Sequence, residues 1–468
     1  MKIQNEKWQY LFLVIIVLIT RLPFISDGYG LDGDAWSVAI SAQHLHETGE
    51  YSASRLPGYP VHEYLCSLFV NYGYFGLNLL TVFFSVMAVL FFAMILKLLR
   101  FRYIFLASVT MSMIPVFYIH STTTIDYIIA MSFVLAGMYF LLKEQIILAG
   151  IFIGLAIGTR ITSGAMLIPF SILLVEYDGL KNNLRRILRL IIPALITGLI
   201  LFIPVLNKYG LGFFTYYNVP YPSIAKVLYK FSIEVWGVIG LLGLLISTVL
   251  LFLPEGKTTK KFLFPRSVNE KFVVAWLVTI DLYIIAFLKL PMESGYLIPL
   301  IPFVILLFGK YLYDKAFVFL CMMLIISSFV CTISPKERYD AVSPSKSSFV
   351  FDGAGEKLIF DIFKGPVLSY NERRKNGILF VNKLLTSTDT IKNKSVIVAG
   401  RWYNQMFVQC ADTAKLNFKL RAYLTEDDAV FFYAKGYVIY YLPKQDIYNK
   451  IMQKVDLNVY SAIPYIKE

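Results

Sequence analysis

The stretch from Asp27 to Glu63, DGYGLDGDAWSVAISAQHLHETGEYSASRLPGYPVHE, gathers most of the groups in this chain that could do chemistry. Asp32 and Asp34 stand two residues apart, His44, His46 and His62 follow, and Arg55 and Glu63 complete the set. A carboxylate at the start of a helix can take a proton from a hydroxyl, ligate a cation with a neighbouring acid, or cap the helix. Residues Ala35–Thr48 read as that helix, with Val38, Ala42 and Leu45 on its apolar face, Gly49 at its end and Asp34 placed as the cap. Arg55 opens the turn Arg55-Leu-Pro-Gly-Tyr-Pro60, which its prolines and glycine hold bent. Its planar guanidinium suits a phosphate, and a snorkelling arginine in an ordinary turn is the plainer alternative. Tyr59 lies in the same turn. His62 and Glu63 fall where the next helix begins, a position that favours an acid by helix dipole alone.

Other polar groups are scattered through apolar sequence. His120 and Asp126 bracket Ser121-Thr-Thr-Thr124, and Asp126 can open a helix or ligate a cation jointly with Asp34. Arg160, in Gly158-Thr-Arg-Ile-Thr162, is the costliest charge in the chain, because intramembrane arginines are rare and generally functional. A lipid phosphate is its natural partner. Glu293 and Tyr296 lie in Pro291-Met-Glu-Ser-Gly-Tyr-Leu-Ile-Pro299. Asp281, inside an apolar run, is either the ion a coupled transporter needs or a helix–helix hydrogen-bonding residue. No tight His-plus-acid zinc spacing is present.

The elements that must position these groups are membrane helices. The 468 residues are 57% hydrophobic and only 16% charged, with 38 Phe and 32 Tyr, against the roughly 25% charge of a soluble chain. The net charge of +13 does not point to nucleic acid, because the basic residues sit in short loops between apolar runs and in the C-terminal tail. Cys66, Cys321 and Cys331 fall in or beside apolar runs and read as small packers rather than a disulfide framework. Eleven candidate spans follow, at 8–25, 74–96, 103–119, 125–142, 146–158, 161–175, 187–206, 233–253, 272–290, 296–312 and 316–333, with 61–73 as a partly inserted approach to the second.

Charge decides that 146–175 is two spans hinged at Arg160. Lys97, Arg100, Arg102, Lys143, Lys181, Arg185, Arg186 and Arg189 then share one side with the N-terminus, as the positive-inside rule asks of a cytoplasmic face. At about 1.5 Å per residue the 146–158 helix rises only about 20 Å, too short for a core of about 30 Å. Such helices end at a water-filled cavity, which would leave Arg160 on the cavity floor. The expected topology is a multi-pass protein of the cell membrane with a cytoplasmic N-terminus. The acids and histidines then face outward, and so does a small α/β domain at 334–468 with a structural or substrate-guiding role. In that tail a helix is expected at Glu372–Leu385, strands at Val396–Ala399, Val430–Tyr433 and Tyr437–Tyr441, and a helix near Asp446–Lys454.

The order of these motifs resembles the GT-C superfamily of polytopic glycosyltransferases, nearest the dolichyl-phosphate-mannose–protein mannosyltransferases and bacterial aminoarabinose transferases. The likeness runs over residues 8–312. It rests on Asp32-Gly-Asp34-Ala-Trp36 after the first span, Arg55 with Pro57 and Pro60, Asp126, Gly158–Arg160, and Glu293, Tyr296, Pro299 and Pro302 before a late span. It implies an inverting transfer of a sugar from a polyprenyl-phosphate donor to an acceptor hydroxyl on a protein, lipid or glycan. The acid of the first outward loop, Asp34 or Asp32, would be the base, with a divalent metal on Asp34 and Asp126 as one option. Arg55, Tyr59, His62, Glu63, Arg160, Glu293 and Tyr296 would bind substrate. Many members carry Asp-Glu where this chain has Asp34-Ala35, which leaves the choice between the two aspartates open. The rivals are a transporter or flippase, which would need Asp281 and repeated halves, and an outer-domain receptor, which leaves residues 27–63 without a task.

Overall fold

A computed structural model describes residues 2–177, 179–214, 221–252, 268, 270–335, 348–353, 356–388, 391, 393–410, 418–441 and 458–459. The apolar runs are helices in the expected order. These are α1 (Lys2–Arg21), α2 (Gly33–Thr48), α3 (Pro60–Phe69), α4 (Gly73–Leu98), α5 (Ile104–Met113), α6 (Pro115–His120), α7 (Tyr127–Leu142), α8 (Ile146–Thr159), α9 (Leu167–Leu174), α10 (Leu180–Tyr209), α11 (Ile224–Phe231), α12 (Ile233–Phe252), α13 (Glu270–Lys289), α14 (Ile301–Tyr311) and α15 (Asp314–Ile326). Among the described residues, six helical runs are long and apolar enough to cross a membrane, and four shorter apolar ones accompany them. The chain is an integral membrane protein.

Local sequence explains the interruptions. The third run breaks at Ile114, extended at φ −61°, ψ 132°, because Pro115 forbids the helical conformation to the residue before it. A kink in α12 falls at Gly237, φ +68°. Ser327 patches it, donating to Trp236 O at 2.7 Å and accepting from Gly240 N at 2.9 Å. The sequence places one hinge correctly: α8 stops at Thr159, Arg160 is extended, and a 3-10 turn (Ile161–Met166) leads into the short α9.

What fixes α8 is a stripe of glycines. A Cβ on Gly150 would lie 2.4 Å from Leu190 O, and one on Gly154 would lie 2.4 Å from Thr197 Cβ. Gly158 is equally tight, with Leu201 at 2.6 Å. This small-residue spacing lets the backbones of α8 and α10 approach closely, and it carries Arg160 to a fixed place at the end of α8.

After α15 the chain forms two small sheets. Strands β1 (Thr332–Pro335), β2 (Phe349–Gly353) and β3 (Glu356–Asp361) make an antiparallel sheet in the order β1-β3-β2. Helix α16 (Pro366–Thr388) then leads to β4 (Ser395–Val398), α17 (Tyr403–Gln409), β5 (Phe418–Arg421), α18 (Glu426–Ala434), β6 (Val438–Tyr441) and β7 (Asn458–Val459). The second sheet runs β5-β4-β6-β7, with β4 parallel to both of its neighbours. Strand β4 is buried on both faces, as its unbroken apolar run requires. Ile397 packs with Phe380, Leu384 and Met406, while Val396 and Val398 pack with Leu424, Ala429 and Phe432.

Two expectations are corrected here. Val430–Tyr433 is part of α18, not a strand: a Thr425–Asp428 capping box starts a helix that overrides the β propensity of Val-Phe-Phe-Tyr. Helix α2 starts at Gly33, and Asp32 caps it, accepting from Asp34 N at 3.1 Å. The expected helix near Asp446–Lys454 lies outside the described residues.

Candidate functional site

Helix α4 and the loop between α6 and α7 build the seat of the acidic loop. Asn78, fully buried on α4, donates from Nδ2 to Ile25 O and Gly28 O, each at 2.8 Å. Thr124 donates its hydroxyl to Asn78 Oδ1 at 2.9 Å and its amide to Tyr29 O at 2.8 Å. Trp36 closes the turn on itself, its indole N–H reaching Gly30 O at 2.9 Å. With Asp32 spent on the cap, Asp34 sits one residue into α2 with its carboxylate free to turn toward Arg55.

Glu63 folds the turn that carries Arg55. It accepts from Ser54 N at 2.7 Å, from Tyr59 N at 3.2 Å and from the Tyr51 hydroxyl. Gly58 sits at φ +93°, and a Cβ there would lie 2.9 Å from Val205 and 3.0 Å from the Tyr51 oxygen. Glu63, expected to touch substrate, is fully buried and builds this loop. His62 is fully buried too, and neither of its ring nitrogens has a hydrogen-bond partner. His44 and His46 lie toward the far end of α2, where His46 meets Asn71 at 2.9 Å.

Four of the expected groups meet in one ion network. Arg55 Nε is 2.9 Å from Asp34 Oδ2, and Arg55 Nη2 is 2.7 Å from Asp126 Oδ1. Arg160 Nη1 holds the other Asp126 oxygen at 2.6 Å. The guanidiniums are faced by aromatic rings, Arg55 over Tyr59 at 4.0 Å and Arg160 over Tyr127 at 4.2 Å and Tyr296 at 4.7 Å. Such faces stabilise a desolvated cation. Asp126 is completely buried, yet Nη1 of Arg55, also buried, has no hydrogen-bond partner. Burial pushes the Asp34 carboxyl above the usual range, Arg55 pulls it down, and Asp32 and Asp126 add to the push.

A cavity of about 600 Å³ opens on Asp34. The membrane helices and the acidic loop give it Asp32, Asp34, His120, Glu234 and Glu293; the C-terminal region gives it Tyr370, Arg373, Arg374, Trp402 and Asn404. Nδ1 of His120 is buried there without a partner, its ring edge-on to Tyr127 at 5.0 Å. Glu293 pairs with Lys230 at 3.7 Å, and Lys230 also donates to Met292 O. Asp34 is thus common to the cavity wall and the ion network. Asp281 is exposed on α13 and is not among the cavity's lining residues.

Sequence reasoning missed Lys230, Glu234, Tyr127 and every group from the C-terminal region. Lys230 and Glu234 had one signal, a charge at the start of an apolar span; the others had none.

Asp34 and Asp126, the pair considered for a cation, share Arg55 instead. Both Asp126 oxygens are taken by guanidiniums, and among the described residues no cluster of three or more His, Cys, Asp or Glu forms. As folded, the described residues around Asp34 and Asp126 present no ready-made cation site.

No protein-family model matches the sequence, and no curated protein matches it. Among solved structures, ArnT from Cupriavidus metallidurans in its apo state is similar over 94% of this chain and 94% of its own, with 11% identity and a TM-score of 0.54. The chain therefore shares the polytopic membrane fold of that protein. A looser likeness is to the Archaeoglobus fulgidus oligosaccharyltransferase in complex with Zn and sulfate, at 10% identity and a TM-score of 0.44 over 96% of this chain and 66% of that one.

Proposed function

We propose that this chain is an inverting glycosyltransferase of the cell membrane. It moves a sugar from a polyprenyl-phosphate donor to an acceptor hydroxyl on the extracytoplasmic side. The observation that carries the reading is the position of Asp34, between an open cavity and a guanidinium that has a buried, unpartnered N–H. The membrane fold shared with ArnT is consistent with it.

In the proposed step, Asp34 takes the proton of the acceptor hydroxyl as its oxygen bonds to the anomeric carbon. The bond from that carbon to the donor phosphate breaks, and its electron pair leaves with the phosphate. Charge explains the pairing of groups. Arg55, Arg160, Asp126 and ionised Asp34 sum to zero. Once Asp34 is protonated the network is left with one net positive charge, at the moment the phosphate gains its negative one. Donors placed where charge develops contribute most to such catalysis. Asp126 keeps the two arginines from repelling each other while leaving the Arg55 Nη1 donor free.

The test is purified protein in lipid, incubated with radiolabelled polyprenyl-phosphate sugars and membrane extract. Label is expected in an acceptor fraction, and the rate should fall on the order of 10²–10⁴-fold in Asp34→Asn. No transfer from any such donor would overturn the reading.

A further inference from the structure

The acidic loop is held from two directions, and the second holder lies more than 330 residues along the chain. On the membrane side, Asn78 of α4 and Thr124 of the loop before α7 pin residues 25–29. The C-terminal region reaches the part that carries the acids. The Leu31 amide donates to the Tyr370 hydroxyl at 3.2 Å, and Arg374 donates to Gly28 O. Lys375 lies 3.6 Å from Asp27. Nearest the two aspartates, Asn404 Nδ2 donates to Gly33 O at 3.2 Å and to Ser37 Oγ at 2.8 Å. Ser37 Oγ in turn donates to Gly33 O at 3.1 Å, which closes a triangle around the first turn of α2. The two N–H bonds of one amide satisfy both acceptors, which no other side chain of this size and charge could do.

We propose that Asn404 is a positioning residue. By fixing Gly33, between Asp32 and Asp34, it sets the angle at which the Asp34 carboxylate meets Arg55 and the cavity. The C-terminal region is then part of the transfer machinery, and its docking assembles the site. This rests on the transferase reading above. The geometry is demanding because Asp34 touches Arg55 through one oxygen at 2.9 Å, and a misplacement of about 1 Å can cost about 10²-fold in rate. Asn404 itself sits at the start of α17, immediately after the turn Gly400–Trp402 that ends β4. A rigid buried strand therefore sets its position.

The experiment uses the full chain in lipid and reads two quantities. Hydrogen exchange compares wild type with Asn404→Ala and Ser37→Ala. Peptides covering 29–38 are expected to exchange at least tenfold faster in Asn404→Ala and less so in Ser37→Ala, while those covering 51–59 do not change. Transfer kinetics are expected to show kcat falling about tenfold to a hundredfold with KM for the donor within about twofold. The acid limb of the pH profile should move to higher pH as Asp34 loses the pull of Arg55. In the double variant the two substitutions should be strongly non-additive, since they remove one triangle.

Unchanged exchange at 29–38 overturns the proposal whatever the protein's activity. A raised acceptor KM with unchanged kcat also overturns it, because Asn404 would then bind substrate rather than position the acid. If Asn404→Ala unfolds, Ser37→Ala decides alone, by the same exchange readout. Faster exchange with no transfer by wild type would sink the transferase reading and leave the clamp standing.

Discussion

The cavity has two walls, and they are made by different physics. On the membrane side, charge answers charge: Asp126 lies between two guanidiniums, Asp34 meets one of them, and aromatic rings face the cations. On the C-terminal side, side chains reach for backbone, with Asn404 on Gly33 O, Tyr370 on Leu31 N and Arg374 on Gly28 O. The first wall holds opposite charges in a poorly solvated place, where each is tolerable only because its partner is present. The second sets positions through backbone groups, and its buried cation, Arg374, is held by neutral oxygens of Gly28 and Asn371. Substitutions on the membrane side should therefore change stability and charge together. Substitutions of the neutral groups on the other side, such as Asn404, should change geometry alone.

The largest effect expected from that contrast is at Asp126. Asp126→Asn leaves two buried guanidiniums without their shared anion, a loss of about 3–5 kcal/mol. Thermal unfolding of the protein in lipid should register it, and a variant as stable as wild type would mean the network is solvated and the contrast empty. Gly154→Leu comes next. Its Cβ alone meets Thr197 at 2.4 Å and Ala194 O at 2.8 Å, so overpacking should cost about 1–3 kcal/mol. It should also move Arg160 off Asp126, so a thermally stable variant with normal transfer would show that α8 does not set Arg160.

A smaller effect sharpens the electrostatics. In the proposed transfer Asp34 must be ionised to accept a proton, so activity should fall as pH drops through its folded-state pKa. Burial has already raised that value and Arg55 opposes the rise. Arg55→Gln should therefore shift the acid limb of kcat/KM to higher pH. A shift to lower pH would mean that Arg55 and Asp34 do not interact in solution.

How much of this could be read in advance follows the range of the interactions. Hydropathy and loop charge were enough for the spans and for the break at Arg160, because both are set within one helix length. The gathering of Asp34, Arg55, Asp126 and Arg160 was legible for a related reason: in apolar sequence an ion needs a partner, and few were on offer. The roles within the set were less legible. Asp32 and Asp34 are interchangeable as text, and only the φ of −75° and ψ of 136° at Asp32 make it the cap. Glu63 looked like a ligand-binding acid because nothing in the sequence told that Ser54, Tyr59 and Tyr51 would consume it. The spacing Gly150, Gly154, Gly158 was there to be seen, but its meaning needed α10 beside it. Asn404 had no local signal, since its partners lie 367 and 371 residues away.

The most direct measurement compares Asp34→Asn with Asp32→Asn in the polyprenyl-phosphate sugar transfer assay, with thermal unfolding recorded for both. Asparagine caps a helix about as well as aspartate, so Asp32→Asn should keep its stability and most of its rate. Asp34→Asn should keep the fold and lose on the order of 10²–10⁴-fold in turnover. Near-normal turnover in a folded Asp34→Asn protein, or a collapse of turnover in Asp32→Asn instead, would contradict the account.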